Sequence, residues 1–141
     1  NLKLEIVSKD PYEKNIRKKL NFGHTIGHAI ESYLLDSNAP TLHGFAIAKG
    51  MIIESFIAKK ENLLSENYFQ EIKTVLSNNF KSYLNFKIDS KAIIKLILSD
   101  KKNTKSTINF SLPTKIGELT INHEIELKKV ESYLLEFLQN D

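Results

Sequence analysis

The chain has 141 residues, 41% of them hydrophobic and 26% charged, which is enough for one domain with its own core. It contains no cysteine, so disulfides and thiolate metal sites are excluded and any transition metal must be held by His, Asp or Glu. Its 20 Lys+Arg against 17 Asp+Glu give a net +3, too small an excess to argue for nucleic acid, and no apolar run approaches the roughly 18 residues of a membrane span. The N-terminus, Asn-Leu-Lys-Leu-Glu, is unlike a signal peptide, so the cytoplasm is the expected location. The first residue is Asn rather than Met, which points to a processed, truncated or excised piece.

Residues 1–10 read as extended or loop-like and end at Asp10-Pro11. Proline disfavours helix at the residue before it but suits a first helical turn, so a helix is expected over about 12–19. A second helix is expected over about 22–35, where Ile26, Ala29, Ile30, Tyr33 and Leu34 form an apolar stripe. The third, from His43 to about Glu61, is apolar around much of its circumference and should lie in the domain centre. Gly44 and Gly50 within it cost helix propensity and are better placed where another backbone or a ligand comes close.

Further helices are expected over about 65–78, 89–99 and 124–138, with Asp89 capping the second of these. Two alternating stretches, Thr107–Pro113 and Lys115–Ile121, read as a short β-hairpin turning between Pro113 and Gly117. The fold class is therefore mainly α, a single helical domain with a small β-hairpin.

His24 and His28 are four apart and lie within about 40° of each other on a helical wheel. Glu31 falls on the same side, opposite the apolar stripe. Two imidazoles at this spacing can converge on one metal ion, although such a pair is more often simply an exposed polar face. The intervening Thr-Ile-Gly lacks the Glu of H-E-x-x-H, which excludes a zincin-type peptidase. His43 opens the next helix, and an antiparallel pair would return it towards the first. His123 reads as a surface or capping residue.

The string Arg17-Lys-Lys-Leu-Asn-Phe-Gly-His-Thr-Ile-Gly-His-Ala-Ile-Glu31, followed by Leu42-His-Gly-Phe-Ala-Ile-Ala-Lys-Gly-Met51, closely resembles the 3-dehydroquinate synthases. Their pattern is R-x-x-L-N-F-G-H-T-x-G-H-A-x-E, then L-H-G-E-A-V-A-x-G-M. Lys3, seven residues before Asp10, resembles their K-A-x-V-V-x-x-D, and Asp100-Lys-Lys-Asn with Ile116-Gly117 resembles their D-K-K…L-x-x-I-G segment. The likeness spans about residues 3–117.

The resemblance implies the helical C-terminal domain of a two-domain enzyme whose N-terminal domain binds NAD. No dinucleotide fingerprint occurs in this chain. The family converts 3-deoxy-D-arabino-heptulosonate 7-phosphate to 3-dehydroquinate and phosphate, with NAD and zinc or cobalt. By position, His24 and His43 match two metal ligands; the third is a glutamate upstream of Asn1. Glu31 matches the motif but is not a family ligand. His28 and Glu13 match proton-transfer positions. Lys3, Arg17, Asn21, Lys101 and Lys102 match positions that bind substrate oxyanions.

The expected partners are the sugar phosphate, the chain's own N-terminal domain and, in the complete enzyme, a second copy; nucleic acid and membrane are not expected. The piece alone should bind metal weakly and not turn over. Two departures stand out: Phe45 replaces the usual Glu after His-Gly, which bears on the support of His43, and Ser106 replaces a common glycine. Two alternatives stay open: another sugar-phosphate cyclase, of valiolone or deoxy-inosose type, or a non-catalytic helical module that retains the motif.

Overall fold

The helix predicted from His43 is the centre of the fold. A computed structural model describes residues 1–85, 87–99 and 106–140, the side chain of Ser82 excepted. Its helices are α1 (Leu2–Lys9), α2 (His24–Asp36), α3 (His43–Lys60), α4 (Glu66–Phe80), α5 (Ser90–Ser99) and α6 (Leu127–Gln139). The strands β1 (Thr107–Lys115) and β2 (Glu118–Glu126) pair antiparallel. No helix among the described residues is long and apolar enough to cross a membrane.

α3 is buried on nearly every side, as its continuous apolar circumference requires. Ile53, Ile57 and Ala58 are fully excluded from solvent, and α2, α4, α6 and β1 pack around it. The predicted stripe on α2 is its inner face: Ile26, Ala29, Ile30 and Leu34 are buried. Left-handed Asn38 ends α2, and the Ala39 N–H returns to the Leu34 carbonyl at 2.9 Å.

The α2–α3 crossing is close because glycine stands on both sides. A Cβ on Gly50 would sit 2.7 Å from the Gly27 nitrogen and 2.9 Å from its Cα. Gly44, by contrast, has open space, so the expected close approach holds at Gly50 alone. Asp89 caps α5 as predicted, accepting the Ala92 N–H at 2.7 Å.

Three expectations fail for identifiable reasons. Residues 2–9 are helical rather than extended. The Asn1 side chain caps the helix by accepting the Lys3 N–H, and an i,i+4 pair of Lys9 with Glu5 at 2.6 Å supports it. No residue of α1 is buried, so no hydrophobic period marked it.

The helix expected over about 12–19 is instead a 3₁₀ segment, Ile16–Asn21. The Asp10 carboxylate takes the backbone N–H groups of Lys14, Asn15 and Arg17 at 3.0, 2.7 and 3.1 Å, and Glu13 is left-handed at φ 53°. Amides bound to a side chain cannot continue an α-helical ladder. The Asn15 N–H, with those of Lys14 and Arg17, outweighs burial and holds the Asp10 carboxyl below its usual range.

The last helix starts at Leu127 rather than about 124, because β2 runs on to Glu126 and buries Ile125. The hairpin turns at Ile116-Gly117, with Gly117 left-handed at φ 80°. Pro113 lies inside β1 beside a register shift, a place where a strand tolerates proline. His123 is correspondingly not a cap: it sits on β2 opposite Phe110, its shielded Nε2 3.5 Å from Glu61 on the end of α3.

Candidate metal and substrate site

Because α2 and α3 run antiparallel, the start of α3 lies over the middle of α2. His24, His28 and His43 thereby converge, with ring centroids 5.2 Å (24–28), 5.7 Å (24–43) and 5.6 Å (28–43) apart. One nitrogen from each lies within 4.8 Å of the others. Nitrogens bound tetrahedrally at 2.0–2.1 Å to zinc are roughly 3.4 Å apart, so modest ring rotations would complete a three-nitrogen contact.

The tautomers follow from the neighbours. The Phe22 carbonyl, 3.2 Å from His24 Nδ1, can only accept, so Nδ1 carries the proton and Nε2 keeps its lone pair. The Glu31 carboxylate, 3.0 Å from His43 Nδ1, likewise accepts from Nδ1 and leaves Nε2 as the atom turned to the cluster. A His whose second nitrogen donates to a carbonyl or carboxylate is the usual arrangement around a bound cation. The donor set therefore fits a divalent transition metal.

Glu31 is thus not a third donor but the group that aims His43. Phe45 stacks on Tyr83 at 4.2 Å and 4° and meets Phe80 edge-on, tying the first turn of α3 to the end of α4. The carboxylate beside His43 comes from the neighbouring helix, not from the position of the missing glutamate. Glu31→Ala should weaken zinc binding by about 10–100-fold, read by competition with a chromophoric chelator. An unchanged affinity would remove Glu31 from the site.

His24 and His28 line a cavity of about 440 Å³. Glu13 and Asn21 share its wall, joined by an Asn21 Nδ2 to Glu13 Oε1 hydrogen bond of 2.6 Å. The left-handed backbone at Glu13, set by the Asp10 loop, places this carboxylate. Arg17 and Lys3 do not join them: Arg17 donates to the Pro11 carbonyl at 2.8 Å, and Lys3 is exposed on α1. Lys101 and Lys102 lie outside the described residues.

Glu54 escaped the sequence reading. Fully buried on α3, it accepts the N–H groups of Gly23 at 2.6 Å and Ile26 at 2.9 Å, capping α2 from its neighbour. Gly23 is left-handed at φ 82° and offers no side chain for the purpose. Burial pushes Glu54 up to about 8, against the pull of those amides. The available signal was a lone carboxylate in the middle of a helix apolar all round.

The 3-dehydroquinate synthase C-terminal family model matches residues 1–103. The chain belongs to that family. It is 41% identical over 133 residues to the 3-dehydroquinate synthase of Thermodesulfovibrio yellowstonii, covering 92% of this chain and 36% of the relative. It is 40% identical over 123 residues to that of Picrophilus torridus, covering 86% and 35%. The chain thus spans just over a third of the length of these 3-dehydroquinate synthases.

Among solved structures, it resembles a 2-deoxy-scyllo-inosose synthase complexed with carbaglucose-6-phosphate, NAD+ and Co2+ (TM-score 0.81, 27% identity, 95% of this chain and 39% of that one). It shares its fold with the 2-epi-5-epi-valiolone synthase ValA of Streptomyces hygroscopicus, which has NAD+ and Zn2+ bound (TM-score 0.76, 20% identity, 98% and 38%). The helical scaffold of this chain is thus also found in these two cyclases.

Proposed function

We propose that this chain is the metal- and substrate-binding part of a 3-dehydroquinate synthase that converts 3-deoxy-D-arabino-heptulosonate 7-phosphate to 3-dehydroquinate and phosphate. The observation that carries the reading is the meeting of His24, His28 and His43, with the Nδ1 of 24 and 43 tied to a carbonyl and a carboxylate. The chain works with a further NAD-binding domain, in the cytoplasm and as a homodimer. Its coverage of just over a third of its relatives supports the missing domain.

His24 and His43 would hold the metal through their Nε2 atoms, joined by the upstream glutamate that the family likeness implies. The metal supplies Lewis-acid polarisation of a substrate hydroxyl, and NAD supplies a hydride acceptor. His28, beside the two ligands and on the cavity wall, moves a proton. Glu13, held by Asn21, is the second proton acceptor, and Asn21 also faces the substrate. Lys3, Arg17, Lys101 and Lys102 are assigned to substrate oxyanions on the family string alone.

The product assay decides. The intact protein, given the heptulosonate phosphate, NAD and zinc or cobalt, should release phosphate and 3-dehydroquinate. Formation of a deoxy-inosose from glucose 6-phosphate, with none from the heptulosonate, would transfer the assignment to the type of the 0.81 TM-score neighbour.

A further inference from the structure

A pocket for a sugar phosphate needs positive charge, and two family-matched cations, Lys3 and Arg17, do not line the cavity. Lys18 does, at a position the family string leaves open. Its ammonium donates to Asn122 Oδ1 at 2.8 Å, and its carbonyl accepts from Ser111 Oγ at 2.8 Å. Asn122 is left-handed at φ 55°, a conformation Asn tolerates, and both it and Ser111 line the same cavity from the hairpin. Lys18 is thus pinned at backbone and side chain by two strands roughly a hundred residues away in sequence.

Among the described residues no carboxylate lies within 4.0 Å of the Lys18 ammonium, and Asn122 takes one of its three donors. The cavity's carboxylate, Glu13, is bonded to Asn21 instead. The wall therefore carries a positioned cation with donors to spare.

We propose that Lys18, set by Asn122, is a phosphate-binding cation of this cavity. The assignment rests on reading the cavity as a sugar-phosphate site. It makes the hairpin a functional wall rather than an appendage.

Titration of the protein with inorganic phosphate, followed by amide NMR shifts at Lys18, Ser111 and Asn122, tests it. Lys18→Met should weaken phosphate binding by about tenfold or more, and Lys18→Arg should keep it within a few-fold. Asn122→Asp leaves the fold nearly isosteric but gives Lys18 a carboxylate partner, and should weaken phosphate as much as Lys18→Met does. Acetate is the second arm and should bind more weakly than phosphate.

Phosphate binding unchanged in Lys18→Met and Asn122→Asp, no phosphate binding by the parent, or an acetate affinity equal to that of phosphate would each overturn the assignment. The titration reads no turnover, so its failure is distinct from failure of the product assay.

Discussion

Glu54→Ala should lower the unfolding free energy by roughly 2–6 kcal/mol, since it orphans two buried N–H groups at about 1–3 kcal/mol each. It also removes the cap from the turn of α2 that presents His24. Urea unfolding followed by circular dichroism measures the loss. A change below about 1 kcal/mol would mean that other groups satisfy the Gly23 and Ile26 amides.

The pH dependence gives an independent test. Glu54 is raised from 4.5 to about 8 on folding. Between those values the folded state holds a proton that the unfolded state has lost, so stability must fall as pH rises. The contribution is fully present below 4.5 and is lost as pH passes through about 8. Glu54→Gln, a neutral analogue of the protonated acid, should lose that slope between pH 5 and 8. Parallel slopes in parent and Gln variant would show that the buried carboxyl does not titrate late.

The second large effect concerns the metal. His24→Ala with His43→Ala in the intact protein should abolish stoichiometric zinc and reduce turnover below detection, because each removes one of the few nitrogen ligands that chemistry allows in a chain without cysteine. His28→Ala separates the remaining roles. With His28 as proton carrier, the variant keeps zinc and loses turnover; with His28 as a ligand, zinc is lost as well. Zinc measured by atomic absorption after dialysis discriminates, and full zinc in the double variant would defeat the ligand assignment.

Much of the site could be read along the chain because it depends on short-range spacing. His24 and His28 share a face by helical geometry, and the apolar stripe of α2 fixed which face was left to them. The hairpin and the central helix likewise announced themselves by period. What failed was local structure with no hydrophobic period behind it. α1 buries nothing, and the Asp10 loop is made by one carboxylate taking three amides that a helix would otherwise use.

By itself, then, the sequence determined the family likeness, the helical class and the candidate ligands, since these reside in residue identity and in spacings of three or four. Only the tertiary structure decided that Glu31 aims His43, that Glu54 caps α2 from α3, and that Lys18 meets Asn122 across 104 residues. Those contacts join separate elements, and their partners are chosen by how α2, α3 and the hairpin pack. No pattern within one element could specify them.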